Sequence, residues 1–413
     1  MEQAEKNRPF RSAIGVFLAL LFIRLIFLAV SGPIREDDSF YYLANARQML
    51  RMAGLSSGDS PGLESVSVRT PLYPLFLAIV AALSGRGDVD RVYPFVAFLQ
   101  LVISALSASL LYLWLEKRRP KSGRFFFALS ALSLGMATMA CSLLTETLYE
   151  FLLVLAFLAI DSILENPPGR VFGKALGGGI LCGLAALCRP IGQILCVLLI
   201  PWFLLSGELK KTWRPLVIAL AGFFLAVFPW MMRNYYHWES FQLSPLSGFS
   251  LQLIGQKIDP EMVKRPPEFE SWDPVRKDAW DTSRMKLVIR KYPGRYATHV
   301  FRHVGRFILS TETTRIGWKR ITGREFLPFP IKEGLTVAAF FLYGILPLFG
   351  VFFIILKRRE REVFIPLVLI LGIYYTHLAG TVLIIPPYDR YRIPLQPLLW
   401  TAACIMIFFG KKD

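Results

Sequence analysis

The chain has 413 residues, 54% of them hydrophobic, with 33 phenylalanines and a mean hydropathy of +0.46. Several apolar runs reach the ~20 residues that cross ~30 Å of hydrocarbon, which excludes an ordinary soluble enzyme. A formal net charge of +17 must then sit in loops and at helix ends, where it suits anionic headgroups or phosphate-bearing ligands. No basic soluble domain is present to hold nucleic acid. All five cysteines fall in apolar runs with no CxxC pair, which argues against a disulfide framework or a zinc site.

In chain order, Lys6, Arg8 and Arg11 precede an apolar run from Ser12 to Ser31. That run is long for a signal peptide and carries Arg24, so it reads as an uncleaved first span. The acid-rich exit Arg35-Glu36-Asp37-Asp38 follows, then a short apolar stretch from Thr70 to Gly85 that opens with two prolines. Further spans are expected at 92–115, 125–142, 147–164, 171–188, 190–206, 213–231, 335–356, 363–385 and 393–410. Lysine and arginine bias in short loops sets orientation, and the clusters Lys117-Arg118-Arg119 and Lys357-Arg358-Arg359 mark cytoplasmic loops. If 70–85 spanned, those clusters would face outward, so it reads as a helix lying at the outer surface. The expectation is an all-α polytopic membrane protein with about ten transmembrane helices, juxtamembrane helices on the outer face, and both termini inside.

Three regions follow from this reading: an N-terminal transmembrane module over 1–231 with an outer loop at 32–91, a long extracytoplasmic segment over 232–334, and C-terminal spans over 335–413. Tyr292 to Leu309 reads as a basic amphipathic helix at the interface.

The outer face collects Asp37, Asp38, Arg69, Glu146, Arg189, Arg233, Arg390, Tyr391 and Arg392 from six separate segments. Acids beside a bilayer are costly and mark function. Asp38 or Asp37 fits a general base, its pKa raised by apolar surroundings. The same acids fit a divalent cation, with Glu146 as third oxygen ligand. The arginines fit an anionic, phosphate-bearing ligand, which guanidinium grips bidentately. Glu150 lies one turn deeper than Glu146 on the same helical face, and Arg24 is the cation available to either. His299 and His303 are spaced i, i+4, but no glutamate completes a metalloprotease motif.

These segments resemble the GT-C membrane glycosyltransferases, in particular the bacterial relatives of protein O-mannosyltransferases and of the lipid A aminoarabinose transferase. The resemblance is carried by Asp38 with Tyr42 after the first span, Arg69-Thr70-Pro71-Leu72-Tyr73-Pro74, Thr145-Glu146-Thr147-Leu148, and Gly183-Leu184-Ala185 leading to Arg189-Pro190. It continues through Pro229-Trp230 with Arg233-Asn234, and Arg390-Tyr391-Arg392 with Pro394. Thr147 departs from the family's proline, and the Asp37-Asp38 doublet leaves open which acid is the base. The resemblance implies a polyprenyl-phosphate-linked sugar donor and membrane lipids as partners. It implies transfer with inversion to an acceptor that is a lipid, glycan or protein, at the periplasmic face of a bacterial plasma membrane. The lack of a large soluble C-terminal domain leaves acceptor recognition to outer loops or a partner protein. The alternative reading is a secondary transporter or flippase for a phosphate-bearing lipid, which predicts acids and broken helices at the midplane.

Overall fold

The structure, a computed structural model, describes residues 8–52, 69–84, 91–165, 172–205, 209–384 and 389–409. Lys6 and Gly85, named above, lie outside them. Among the described residues the chain is helical, with one isolated parallel bridge between Ile34 and Ser142.

The first half runs α1 Arg8–Ser31, α2 Asp37–Met52, α3 Leu72–Leu83, α4 Tyr93–Arg118, α5 Ser122–Leu132, α6 Leu134–Cys141, α7 Glu146–Glu165, α8 Phe172–Cys188, α9 Ile194–Leu205 and α10 Leu209–Trp238. The second runs α11 Ser247–Ile258, α12 Pro274–Lys291, α13 Pro293–Leu309, α14 Glu312–Thr322, α15 Phe329–Ala339, α16 Leu346–Leu356, α17 Arg361–Ile384 and α18 Gln396–Ile407. One π-helical stretch, Phe340–Ile345, joins α15 to α16 into a single long rod.

Six helices among the described residues are long and apolar enough to cross a membrane, or seven if the bent pair α5–α6 counts as one span. The expected count of about ten is therefore not confirmed. The window at 125–142 is bent, and those at 171–188, 190–206 and 393–410 form shorter helices. In the first, Ser133 adopts an extended conformation, its side chain accepts the Met136 amide, and α6 departs from α5 at 58°. The other three become helices of 17, 12 and 12 residues, α8, α9 and α18. The stretch after Thr70 forms the 12-residue α3, packed on α2.

Small residues bring the helices close. A Cβ on Gly179 would overlap the Ala219 carbonyl, and one on Gly183 would lie 2.8 Å from the Phe223 carbonyl, so α8 and α10 pack backbone to backbone. Arg24 and Glu150 are both buried, on α1 and α7, and Glu150 is the acid within electrostatic reach of Arg24. Glu146, one turn earlier, belongs elsewhere.

The segment between α10 and α15 folds into helices. Asp273 caps α12, accepting from the amides of Val275 and Arg276. A small core of Ile254, Val263, Met285 and Val288 holds α11 to α12. The expected amphipathic helix is α13, lying against α17 with Phe301 exposed.

Two ends of the bundle emerge. The start of α4, the end of α17 and the start of α18 gather near the acid-rich exit of α1. The end of α4, the start of α17 and the end of α18 gather at the other end, around Arg119, Arg361 and Phe409.

Candidate active site

The backbone ties the two acid-bearing segments together. The Ile34 amide donates to Cys141 O (2.9 Å), the Leu143 amide donates to Ile34 O (3.0 Å), and Ser39 Oγ donates to Leu143 O (2.9 Å). The entrance to α2 is thus fastened to the loop that starts α7, which sets Asp38 near Glu146. Acids in the first turns of both helices also suit the positive ends of their dipoles.

Asp38 sits between two arginines from distant segments. Arg69 Nη2 lies 2.9 Å from Oδ1 and Arg390 Nη2 lies 2.6 Å from Oδ2. Glu146, almost fully buried, receives Arg189 Nη1 at 2.7 Å and Arg390 Nε at 3.9 Å. Arg390 therefore bridges the two carboxylates. Aromatic rings hold the guanidinium groups in place: Arg69 lies over Tyr41 and Tyr42 and donates to Tyr42 Oη, and Arg189 lies over Tyr391. Three arginines face two carboxylates, so the cluster is one positive charge in excess.

These residues line a cavity of about 300 Å³. Its floor includes a pair that the sequence reading missed, Tyr149 and His377. His377 Nδ1 lies 2.7 Å from the Ile373 carbonyl, which can only accept, so Nδ1 carries the proton and Nε2 accepts from Tyr149 Oη. A lone histidine in an apolar span, followed four residues later by Thr381, was the available signal.

A second cavity, of about 870 Å³, shares Asp38, Arg69, Arg390 and Tyr391 with the first. Its other charged walls are acids: Glu36, Asp37, Glu312 and Asp389, with Tyr41, Phe249 and Ile316 among the apolar ones. Asp389 is structural here, accepting from the Thr313 amide and hydroxyl.

The expected rise in the Asp38 pKa is reversed. Burial pushes this carboxyl up, but Arg390 and Arg69 outweigh it and hold it below the ordinary carboxylate value. Glu36 moves the other way, raised by burial against the pull of Arg390. Asp37 is exposed and opens on the second cavity alone.

Six of the residues singled out in the sequence meet in the first cavity: Asp38, Arg69, Glu146, Arg189, Arg390 and Tyr391. Two arginines do not. Arg392 is buried and donates to the carbonyls of Phe307, Ile308 and Ser310, tying off the end of α13. Arg233 lies over Trp230 and Trp238 and donates to Asn234, lining neither cavity. His299 and His303 have rings 3.8 Å apart. Among the described residues no group of three or more His, Cys, Asp or Glu is gathered to hold a metal. Asp38 and Glu146 already hold arginines that a cation would have to displace.

Solved structures of an archaeal oligosaccharyltransferase share this architecture. The apo Archaeoglobus fulgidus oligosaccharyltransferase superposes with a TM-score of 0.57 at 11% identity, over 98% of this chain and 51% of that one. The same archaeal enzyme, AglB, in complex with an inhibitory peptide and a dolichol-phosphate, gives 0.54 at 12% identity, over 95% and 50%. ArnT from Cupriavidus metallidurans, bound to undecaprenyl phosphate, gives 0.41 at 12% identity, over 94% and 77%. The chain spans about half the length of the archaeal structures. No curated protein sequence matches it. Residues 15–256, more than half of the chain, match the family model of the Alg9-like mannosyltransferases, and the chain belongs to that family of membrane glycosyltransferases.

Proposed function

We propose that the chain is an inverting glycosyltransferase, moving a sugar from a polyprenyl-phosphate donor to an acceptor hydroxyl. The observation that carries this reading is Asp38 at the wall between two cavities, one cationic and one acid-lined. A phosphodiester bears one negative charge, and the first cavity has one positive charge to spare. The dolichol-phosphate held by an archaeal enzyme of the same fold supports a lipid phosphate of this kind.

In this mechanism the donor phosphate enters the first cavity and draws Arg69, Arg390 and Arg189 toward its oxygens. That loosens the grip on Asp38, whose proton affinity then rises toward that of a useful base. The acceptor hydroxyl arrives from the second cavity. Asp38 takes its proton, the oxygen forms a bond to the anomeric carbon, and the bond from that carbon to the phosphate oxygen breaks. The polyprenyl phosphate leaves with the electron pair, its charge met by the same arginines. Asp38 then returns its proton to water.

Orientation follows from charge. The basic clusters at 117–119 and 357–361 lie at the end opposite the cavities, and the bias of such clusters toward the cytoplasm turns the site outward. In a bacterial plasma membrane that is the periplasmic face. The three-region division at 231 and 334 belongs to the same reading, the middle region supplying Ser244, Leu246 and Ser250 to the first cavity.

The test is transfer by the purified full chain from a short-chain polyprenyl-phosphate sugar to a panel of acceptors, with the anomeric configuration read by NMR. Retained configuration, or transfer that persists in Asp38→Asn, sinks the mechanism. Counterflow of a labelled lipid-linked sugar in vesicles without acceptor would point to transport instead.

A further inference from the structure

The far end of the bundle carries a cavity of its own, of about 490 Å³, lined by Arg119, Arg359, Glu360, Arg361, Glu362, Val363 and Phe409. Three segments distant in sequence build it: the turn after α4, the turn into α17, and the end of α18.

Its charges are unequal. Three arginines face two glutamates, and Glu360 is already met by Lys357 at 3.1 Å. Arg361 donates to the Leu164 carbonyl, which fixes its position without neutralising it. Arg119 is the informative member. An arginine at a membrane border ordinarily extends its head into water. Arg119 is only 5% exposed, has no carboxylate partner among the described residues, and packs over the Phe409 ring at 5.7 Å. Lys357 lies over the same ring at 4.0 Å, and Phe353 meets it at 5.3 Å. A cation held this way, against an apolar floor and with no acid paired to it, is arranged for an anion that enters the cavity.

We infer that this cavity binds the phosphate headgroup of an anionic phospholipid in the leaflet opposite the catalytic site. The apolar floor of Val363 and Phe409 matches the glycerol and upper acyl region, and Arg119, Arg359 and Arg361 match the phosphate oxygens. Basic pockets between transmembrane helices recognise lipids in this manner. A free phosphate shares the headgroup chemistry but has no use for the floor.

The test uses the purified full chain in detergent, titrated separately with phosphatidylglycerol, phosphatidylcholine and inorganic phosphate, and read by native mass spectrometry. The expected result is selective retention of phosphatidylglycerol over phosphatidylcholine. Removing one arginine should weaken that retention about fivefold, the equivalent of roughly 1 kcal/mol per basic residue near a membrane surface. Arg359→Gln changes an exposed side chain and leaves the packing intact, whereas Arg119→Gln removes the buried one; both should lower retention. Equal retention of the two lipids overturns the inference. So do phosphatidylglycerol adducts unchanged in Arg359→Gln, or inorganic phosphate bound at the same arginines with no lipid preference.

Discussion

Glu146 and Glu150 lie one turn apart on α7, are equally buried, and both have arginine within reach, yet they belong to different kinds of assembly. Glu146 lines an open cavity with Arg189 and Arg390, and the second of these also grips another carboxylate, Asp38. Glu150 is within electrostatic reach of Arg24, but its Oε1 accepts no hydrogen bond, and it lines no cavity described above. The same ionic chemistry is therefore exchangeable in one place and closed in the other. What separates them is access: a charge pair that a ligand can reach can trade its partner for phosphate, whereas Arg24 and Glu150 are sealed in the bundle and coupled only through their charges.

The sharpest break in this comparison is Asp38→Asn. Loss of the base should cost about 10²–10⁴ in turnover with little change in melting temperature. Asp37→Asn, which opens only on the second cavity, should raise the acceptor KM and leave kcat near the parent value. Because Arg390 and Arg69 hold Asp38 ionised below the usual carboxylate value, the acid limb of kcat/KM for the free enzyme should fall below pH 3.8, the ordinary aspartate value. The sign is that of a depressed acid: the ionised form is present above that limb and lost as pH falls through it. A limb near neutrality would move the base to another residue.

Next comes Arg390→Gln. This residue touches both carboxylates, so its removal takes away phosphate stabilisation and the bridge at once. The expected loss is about 10²–10³ in kcat, the scale of one preorganised electrostatic contact to a developing charge. Arg189→Gln should behave similarly, with a larger share in donor KM. Equal activity after either change would separate the arginines from the leaving group.

The closed pair should respond in stability rather than rate. Arg24→Leu leaves the buried Glu150 without the cation in its electrostatic reach and should lower the melting temperature. Arg24→Leu with Glu150→Leu should recover most of it while keeping turnover. If the double variant is stable but inactive, Glu150 belongs with Glu146 and the comparison fails.

Much of the open site was legible because its residues are costly where they stand. Charged side chains at the ends of apolar runs stand out, and grouping them by face brought five of them, with Tyr391, to one cavity. Orientation within a turn was not legible. Arg390 and Arg392 are two residues apart in consecutive tight turns, and only the backbone path sends one to Asp38 and the other to the carbonyls ending α13. The broken spans escaped for a related reason: hydropathy averages over a window, whereas the break at Ser133 is one residue adopting an extended conformation and capping the next helix. Tyr149 and His377 escaped because each looks like ordinary filling of an apolar helix until the partner on the other helix is known.

Arg233 gives the smallest expected effect and the most discriminating one. By sequence it stands with the phosphate-binding arginines, at a span exit among tryptophans. In the structure its guanidinium lies between Trp230 and Trp238 and donates to Asn234, which in turn donates to the Gln242 carbonyl. That places it as a brace for the turn after α10. Arg233→Gln loses a cation–π contact worth about 0.5–1 kcal/mol at a half-exposed site and should leave kcat and donor KM near the parent values. A hundredfold fall in turnover, with the melting temperature unchanged, would mean that Arg233 swings into the first cavity when donor binds. The excess charge there would then be two rather than one, and a donor with a second phosphate would fit better than a phosphodiester.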